Sequence, residues 1–382
     1  MFEGRFERIL GLMSGTSLDG VDAAVIETDG ETIRAFGQTA YRAYSDAERA
    51  TLKAALGQWQ TDDVRAAADV VEAAHLAVMA DFHDIALVGF HGQTLAHDPD
   101  NRQTHQCGDG QRIADQSGLP VAWDFRSADV AAGGQGAPLA PFYHFALAKW
   151  LKETKPVGFL NLGGVGNLTF VDPTFEKPSD TGALLAFDTG PANAPMNDLM
   201  QKRRGLSFDA GGLLASKGQE DRDFVEDFMS HPYFEALPPK SLDRNSFEDV
   251  LARVDGFGDA DALATLVGVV VASVKRGCAQ CPVFPARIYV AGGGRHNKTL
   301  MQRLETDLPC PVVNIDDVGL NGDMIEAQAF AFLAARVARG LPISAPGTSG
   351  VDAPLQGGRL VHPAAKSPYF GVLTVPLGRI GG

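Results

Sequence analysis

Residues 9–28, ILGLMSGTSLDGVDAAVIET, and residues 157–171, VGFLNLGGVGNLTFV, share one pattern: an apolar run, a knot of glycine and small polar residues, and a second apolar run. A glycine turn placed between two strands excludes the two commonest phosphate loops. The P-loop requires G-x-x-x-x-G-K-S/T, which the chain lacks, and the dinucleotide fingerprint requires a helix after its turn. Two halves that each open with strand, glycine turn and strand point to a duplicated α/β unit with a cleft between the copies. The likeness is one of pattern, without a residue-level repeat. At 382 residues the chain suits two domains of roughly 150–200 residues each.

Composition narrows the setting. Apolar residues make up 45% and charged residues 21%, the balance of a globular protein. No apolar run approaches the roughly 18 residues of a membrane span, so no membrane partner is expected. The opening residues MFEGRFERIL have neither the apolar centre nor the cleavage site of a signal peptide. Four cysteines are too few for a disulfide scaffold, and a reducing cytoplasm is expected. A net charge of −14 argues against nucleic-acid binding, which needs a basic face. It does not argue against a nucleotide, because backbone N–H groups and a metal ion can hold polyphosphate.

Along the chain, residues 6–28 read as two strands and 31–40 as a third. Ser45 and Glu48 form a capping box, with Gly57 closing that helix, and Thr61 is placed to cap the helical run at 62–82. IALVGF is a short buried strand running into HGQT. Residues 112–145 hold too much Gly and Pro for one regular element and read as an ordered loop at the junction between halves. LLAFDTGPAN reads as a strand into a polar turn, DALATLVGVVVASVKRG as a helix and ARIYVAGGG as a strand. NGDMIEAQAFAFLAARVARG is a final helix, with Asn321 or Asp323 as cap and Gly340 as stop. Residues 341–382, rich in Pro, Gly and Ser, are expected to run irregularly over the surface.

Several motifs bear chemistry, each with a structural alternative. In SGTSLDGVD, Gly15 and Gly20 allow backbone angles that gather N–H groups into an anion nest, and Thr16 and Ser17 add hydroxyl donors. Asp19 and Asp22 would repel phosphate unless a metal ion stands between them. An Asp-Gly hairpin turn accounts for the same residues. NLGGVGNL and AGGGRHN are further strand-end glycine clusters, each explicable alone as a tight turn. Asp188 in FDTGPAN ends an apolar strand, as a general base or a turn-forming residue. His91, Gln93 and Thr94 in GFHGQT end another; the side chains of the first two share a face that could bind a polar ligand, while a satisfied buried histidine is the simpler reading of His91. DFRSADVAAGGQGAP offers Asp124, Arg126, Asp129 and Gln135, for an anionic partner or an internal Asp–Arg pair. Glu326 reaches a cleft or strengthens its helix N-terminus. The C-x-x-C pair Cys278 and Cys281 has no second pair or nearby histidine and reads as structural.

Together these pieces resemble the anhydro-N-acetylmuramic acid kinase family of the sugar kinase–Hsp70–actin superfamily. GLMSGTSLDGVDAAV, GFHGQT, DFRSADVAAGGQGAPLAP, NLGGVGNLT, FDTGPAN, AGGGRHNKTLMQRL and NGDMIEAQAFAFLA occur in family order from residue 9 to about 357. The resemblance implies an α/β fold of two RNase H-like domains flanking an ATP and substrate cleft. The boundaries are 1–135 with the first phosphate hairpin, 136–365 with the second phosphate loop, and 366–382 as an irregular tail.

The resemblance also implies an ATP- and Mg²⁺-dependent enzyme. It would open the 1,6-anhydro bridge of 1,6-anhydro-N-acetylmuramic acid and phosphorylate O6, giving N-acetylmuramic acid 6-phosphate and ADP in peptidoglycan recycling. Asp188 would be the catalytic base. Gly15, Thr16, Ser17, Leu18, Asp19, Gly20, Val21 and Asp22 would bind the β- and γ-phosphates. Gly163 and Gly164 would form the second phosphate loop, and Gly292 and Gly293 would lie near the adenosine. Asp19 or Asp22 would position the metal, and Thr94, Arg126 and Glu326 would contact the sugar. The resemblance is compatible with a homodimer, which composition does not test. Ala192 stands where the family pattern has glycine and Gly166 where it has alanine. PPKSLDRNSF (238–247) follows its family segment only loosely, which leaves Lys240 and Arg244 outside the assigned site. The competing readings are a same-fold kinase of another sugar or small acid, and an ATP-gated binding protein.

Overall fold

A computed structural model describes residues 4–242, 247 and 249–364. The tail assigned to 366–382 and Arg244 lie outside the described residues. The strands are β1 (Glu7–Ser14), β2 (Gly20–Thr28), β3 (Ile33–Ala43), β4 (Leu87–Asp98), β5 (Gln103–Cys107), β6 (Val121–Trp123), β7 (Val157–Leu162), β8 (Val165–Val171), β9 (Leu184–Pro191), β10 (Ile288–Ala291), β11 (Val312–Asn314) and β12 (Arg359–Val361). The helices are α1 (Asp46–Ala55), α2 (Arg65–Met79), α3 (Gly110–Ser117), α4 (Ser127–Ala131), α5 (Pro141–Trp150), α6 (Asn193–Arg204), α7 (Arg222–Met229), α8 (Val250–Arg253), α9 (Asp259–Ala279), α10 (Lys298–Asp307), α11 (Ile325–Ala338) and α12 (Pro346–Ser349).

The strands form two sheets. The first runs β12-β6-β4-β1-β2-β3 with β5 also on β4, and the second runs β11-β10-β7-β8-β9. Within both, a three-stranded antiparallel meander is followed by two parallel strands: β3-β2-β1-β4-β6 matches β9-β8-β7-β10-β11 in order and sense. The pattern repeat read from the sequence is thus a repeat of topology, and the α/β fold implied by the family resemblance is the fold observed. The central strands β1 and β7 are apolar nearly throughout because helices cover both of their faces.

Three apolar clusters fill the layers. One lies behind the first sheet under α1 and α2, and one behind the second sheet around α9. The third gathers α5 and α11 with residues of both sheets. Ala327, Ala331 and Ala334 of α11 are fully buried, and this helix lies against β1, β2 and β4.

The structure corrects several local expectations. Thr61 caps nothing: α2 begins at Arg65 after Val64, without a side-chain cap. Neither Asn321 nor Asp323 caps α11, which follows Met324; the Asp323 carboxylate is bonded to Arg295 instead. The junction at 112–145 contains β6, α4 and the start of α5. Residues 341–364 are not merely superficial, since Ile343, Ser344, Thr348 and Ser349 are buried and β12 pairs with β6. Among the described residues one helix, α9, is long and apolar enough to cross a membrane by length and composition, although its uninterrupted uncharged run is shorter than a span. Its 18-residue window has a mean hydropathy of 1.5 and is 78% buried, which is the environment of a core helix.

Candidate active site

The first glycine turn joins β1 to β2 in the register Met13 opposite Asp22. Its residue with left-handed backbone is Leu18 (φ 58°), not a glycine, and the Leu18 side chain is buried. Gly20 is required for space: a Cβ there would lie 2.3 Å from the Arg42 carbonyl oxygen of β3. Val21 is also buried, so Leu18 and Val21 offer a ligand only their backbone. Thr16, Ser17 and Asp19 are exposed at the tip.

Gln93, fully buried, holds the turn from below. It accepts from Ser14 Oγ at 2.5 Å and donates to the Gly15 carbonyl at 3.1 Å. The face shared by His91 and Gln93 therefore serves neighbours rather than a ligand. His91 Nδ1 bonds to the Gly92 carbonyl at 2.9 Å, while Arg126 Nε donates to His91 Nε2 at 3.0 Å. That pairing requires a neutral ring, and burial followed by the Arg126 charge holds its pKa far below the usual histidine value.

Arg126, just before α4, also donates from Nη1 to the Gly136 carbonyl at 2.7 Å. Its partners are a neutral ring and a carbonyl, so no bonded carboxylate among the described residues meets its charge. Glu326, in the first turn of α11, is exposed to solvent, yet the protein packed around it raises its pKa against the pull of Arg126. Asp22 is half-buried. Burial first, then Glu326, Asp323 and Asp19, push its carboxyl up to about 7. Thr94 Oγ1 accepts from Gln106 at 3.2 Å.

Asp129 is an organiser rather than a ligand. Its carboxylate accepts from the Gly136 N–H at 2.7 Å and from Ser349 Oγ at 2.5 Å, fixing the loop 133–136. That loop carries both Arg126's partner Gly136 and the adjacent Gln135. Gln135, Asn167, Asp188, Lys240, Ser241 and Thr348 are among the residues around a cavity of about 90 Å³. Burial raises the Asp188 pKa, and hydrogen bonds from Asn167 and the Leu242 amide hold it back. The loosely matching segment 238–242 thus reaches the site after all.

The second glycine turn is only Gly163 and Gly164. The Gly163 carbonyl accepts from the Asn193 amide at 2.9 Å, and the Gly164 carbonyl from the Ala192 and Ala194 amides at 3.0 and 3.2 Å. Asn193 Nδ2 also donates to the Leu162 carbonyl at 2.8 Å. Gly292 and Gly293 come to the same place, since a Cβ on Gly292 would overlap Asn161 Oδ1 and one on Gly293 would lie 3.5 Å from Asn193 Nδ2. Among the described residues no hydrogen bond or ion pair joins the two glycine turns.

Size alone does not locate this site. A cavity of about 870 Å³, walled by Trp59, Arg102, Arg112 and Trp123, is lined by the candidate Asp124 but by none of the residues assigned to phosphate, metal, sugar or base. Cys278 and Cys281 are buried free thiols whose pKa burial raises, to about 12 for Cys281.

Comparison with known proteins agrees in family. The family described as anhydro-N-acetylmuramic acid kinase matches residues 7–362. An anhydro-N-acetylmuramic acid kinase from Ruegeria sp. (strain TM1040) is 58% identical over 356 residues, covering 93% of this chain and 95% of the relative. One of the same name from Cereibacter sphaeroides is 58% identical over 366 residues, covering 96% and 99%. Among solved structures, a ROK family glucokinase from Streptomyces griseus in complex with glucose and AMPPNP is 11% identical, with a TM-score of 0.43 over 86% of this chain and 99% of that one.

Proposed function

The chain belongs to the anhydro-N-acetylmuramic acid kinase family, and from that premise we propose how its residues divide the reaction. The enzyme uses ATP to convert 1,6-anhydro-N-acetylmuramic acid and water to N-acetylmuramic acid 6-phosphate and ADP. Asp188 takes a proton from water as that oxygen attacks the anomeric carbon. The bond from the anomeric carbon to O6 breaks, and O6 captures the γ-phosphoryl group as ADP leaves. Capture avoids release of a free alkoxide, a poor leaving group.

The observation that carries this reading is the setting of Asp188. It is a largely enclosed carboxylate with raised pKa, two N–H donors and no ion pair among the described residues. A base tuned towards the working pH contributes about 10²–10⁴ in rate. The first turn offers Thr16, Ser17 and backbone amides from Gly15 to Asp22 to the phosphates, and the second turn adds the amides of Gly163 and Gly164. Gly292 and Gly293 border the adenosine. Arg126, unmatched by a bonded carboxylate, suits the lactyl carboxylate of the sugar; Thr94 and Glu326 contact the ring.

The acidic group around Asp22 fits a hard divalent cation. No set of three or more His, Cys, Asp or Glu among the described residues could hold a metal ion by itself, and Mg²⁺ characteristically uses one or two carboxylates plus phosphate. Asp19 and Asp22 would hold it, and when bound it supplies charge neutralisation at the transferring phosphoryl group. We divide the chain near 135/136, with α11 and β12 returned to the N-terminal unit whose sheet they complete. The same reading sets the enzyme in the cytoplasm as a homodimer, supported by family membership alone.

The test is ADP formation with and without the anhydro-sugar, in ordinary water and in H₂¹⁸O. ADP should form only with the sugar, and the product should carry label at its anomeric oxygen before exchange. Unlabelled product would assign the chain to a kinase of pre-existing hydroxyls, and sugar-independent turnover to an ATP-gated binding protein.

A further inference from the structure

Asp188 of β9 stands directly opposite Asn167 of β8, beside a register shift between Gly166 and Asn167. Asn167 Nδ2 donates to Asp188 Oδ1 at 2.8 Å, and the Leu242 amide donates to Oδ2 at 2.8 Å. The main chain of Asp188 is gripped as well. Its N–H donates to the Lys240 carbonyl at 3.0 Å, and its carbonyl accepts from the Tyr233 hydroxyl at 2.5 Å. Lys240 Nζ closes this bracket by donating to the Tyr233 carbonyl at 2.9 Å, 4.5 Å from the centre of the Tyr233 ring. One oxygen of the carboxylate is thus tied to β8 and the other to the segment that enters from Tyr233.

A carboxylate bonded at one oxygen can still turn about its Cβ–Cγ bond; bonded at both, it has one plane. Ladder geometry does not demand that a side-chain amide meet this carboxylate. Asn167 also sits in the stretch read as a phosphate loop, yet its amide donor is committed to Asp188. We propose that Asn167 is a positioning residue for the base: with the Leu242 amide, it fixes the plane in which Asp188 presents its remaining lone pairs to water. The inference rests on the reading of Asp188 as general base. Lys240 is the other titratable side chain lining the adjoining cavity, Tyr233 adjoins it, and Arg276 and Glu235 act on Lys240 from beyond.

Asn167→Ala removes a donor that favours the ionised carboxylate, so the Asp188 pKa rises and more of the base is protonated at a given pH. The variant should lose about 10–100-fold in kcat, with KM for both substrates within about twofold. The acid limb of its kcat–pH profile should move up by about one pH unit, with loss deepest in acid and partly recovered as pH rises. Asn167→Ser, which keeps a donor, should regain part of the rate and part of the shift. A uniform loss at every pH, accompanied by a lower Tm in both variants, would make Asn167 structural and overturn the proposal. Asp188→Asn separates the two levels. If it is inactive while Asn167→Ala keeps the native profile, the positioning role alone fails. If Asp188→Asn keeps native activity, the base assignment fails and the positioning role with it.

Discussion

The two glycine turns look alike in sequence and are held in opposite ways. The first, from Gly15 to Asp19, is anchored from within: Leu18 plugs the core and Gln93 bonds to the Gly15 carbonyl, while Thr16 and Ser17 stay exposed. The second, Gly163 and Gly164, is anchored from outside, its carbonyls taking the amides that open α6. A helix N-terminus is a ready anion site when its N–H groups are free. Here they are already occupied by protein carbonyls. A glycine knot between strands therefore does not define a role by itself; what holds the knot decides which of its groups face a ligand. By that measure, and on the proposed division of the site, the first turn offers a phosphate more free donors than the second.

The substitution with the largest expected effect is Gly20→Ala. The added Cβ would meet backbone of β3 at 2.3 Å, with the Tyr41 ring and Ala43 also inside normal contact. Backbone cannot swing aside as a flexible side chain can, so β2 and β3 must part. The loss should be about 1–3 kcal/mol or more in urea denaturation, with weaker ATP binding alongside. An unchanged midpoint would show that β3 does not brace the first turn. Next is the double variant Thr16→Val with Ser17→Ala, at exposed positions. Stability should stay within about 0.5 kcal/mol. The KM for ATP should rise by about tenfold or more, because hydrogen bonds to charged groups are worth about 1.5–3 kcal/mol each. An unaltered KM would remove the hydroxyls from the phosphate site and leave the two turns equal.

What the sequence makes legible in this comparison is what lies close in the chain. Strand, turn and strand are written in alternating and apolar runs, and the capping box at Ser45 and Glu48 forms as spaced. Both turns fall where their glycines are. The supports of the turns and of the base depend on partners far away in sequence. Ser14 meets Gln93 across 79 positions, Asp129 meets Ser349 across 220, and Asp188 meets the Leu242 amide across 54. Composition marks Gln93 and Asp129 as ligand-like polar residues, and only burial reveals them as braces. The return of α11 and β12 to the first sheet has the same cause, since an apolar helix does not state which sheet it will cover. Of the residues chosen from motif position, Arg126 bonds to Gly136 of the loop 133–136 and Asp188 shares a cavity with its Gln135.

The smallest effect is expected at the second turn, and it tests the comparison most directly. Gly164 lies outside the left-handed region, and a Cβ there would sit 3.6 Å from the Ala194 Cβ, an ordinary contact. Gly164→Ala keeps the carbonyl that receives the Ala192 and Ala194 amides and keeps its own N–H. Stability should change by less than about 0.5 kcal/mol. The KM for ATP should change by less than about threefold, a free-energy difference of roughly 0.65 kcal/mol. The methyl group nevertheless projects from an exposed turn, where a phosphate in close backbone contact would meet it. A tenfold rise in KM with an unchanged Tm would therefore mean that phosphate approaches the second turn as closely as the first. The assignment of the tighter grip would then pass from the turn anchored on Leu18 to the turn anchored on α6.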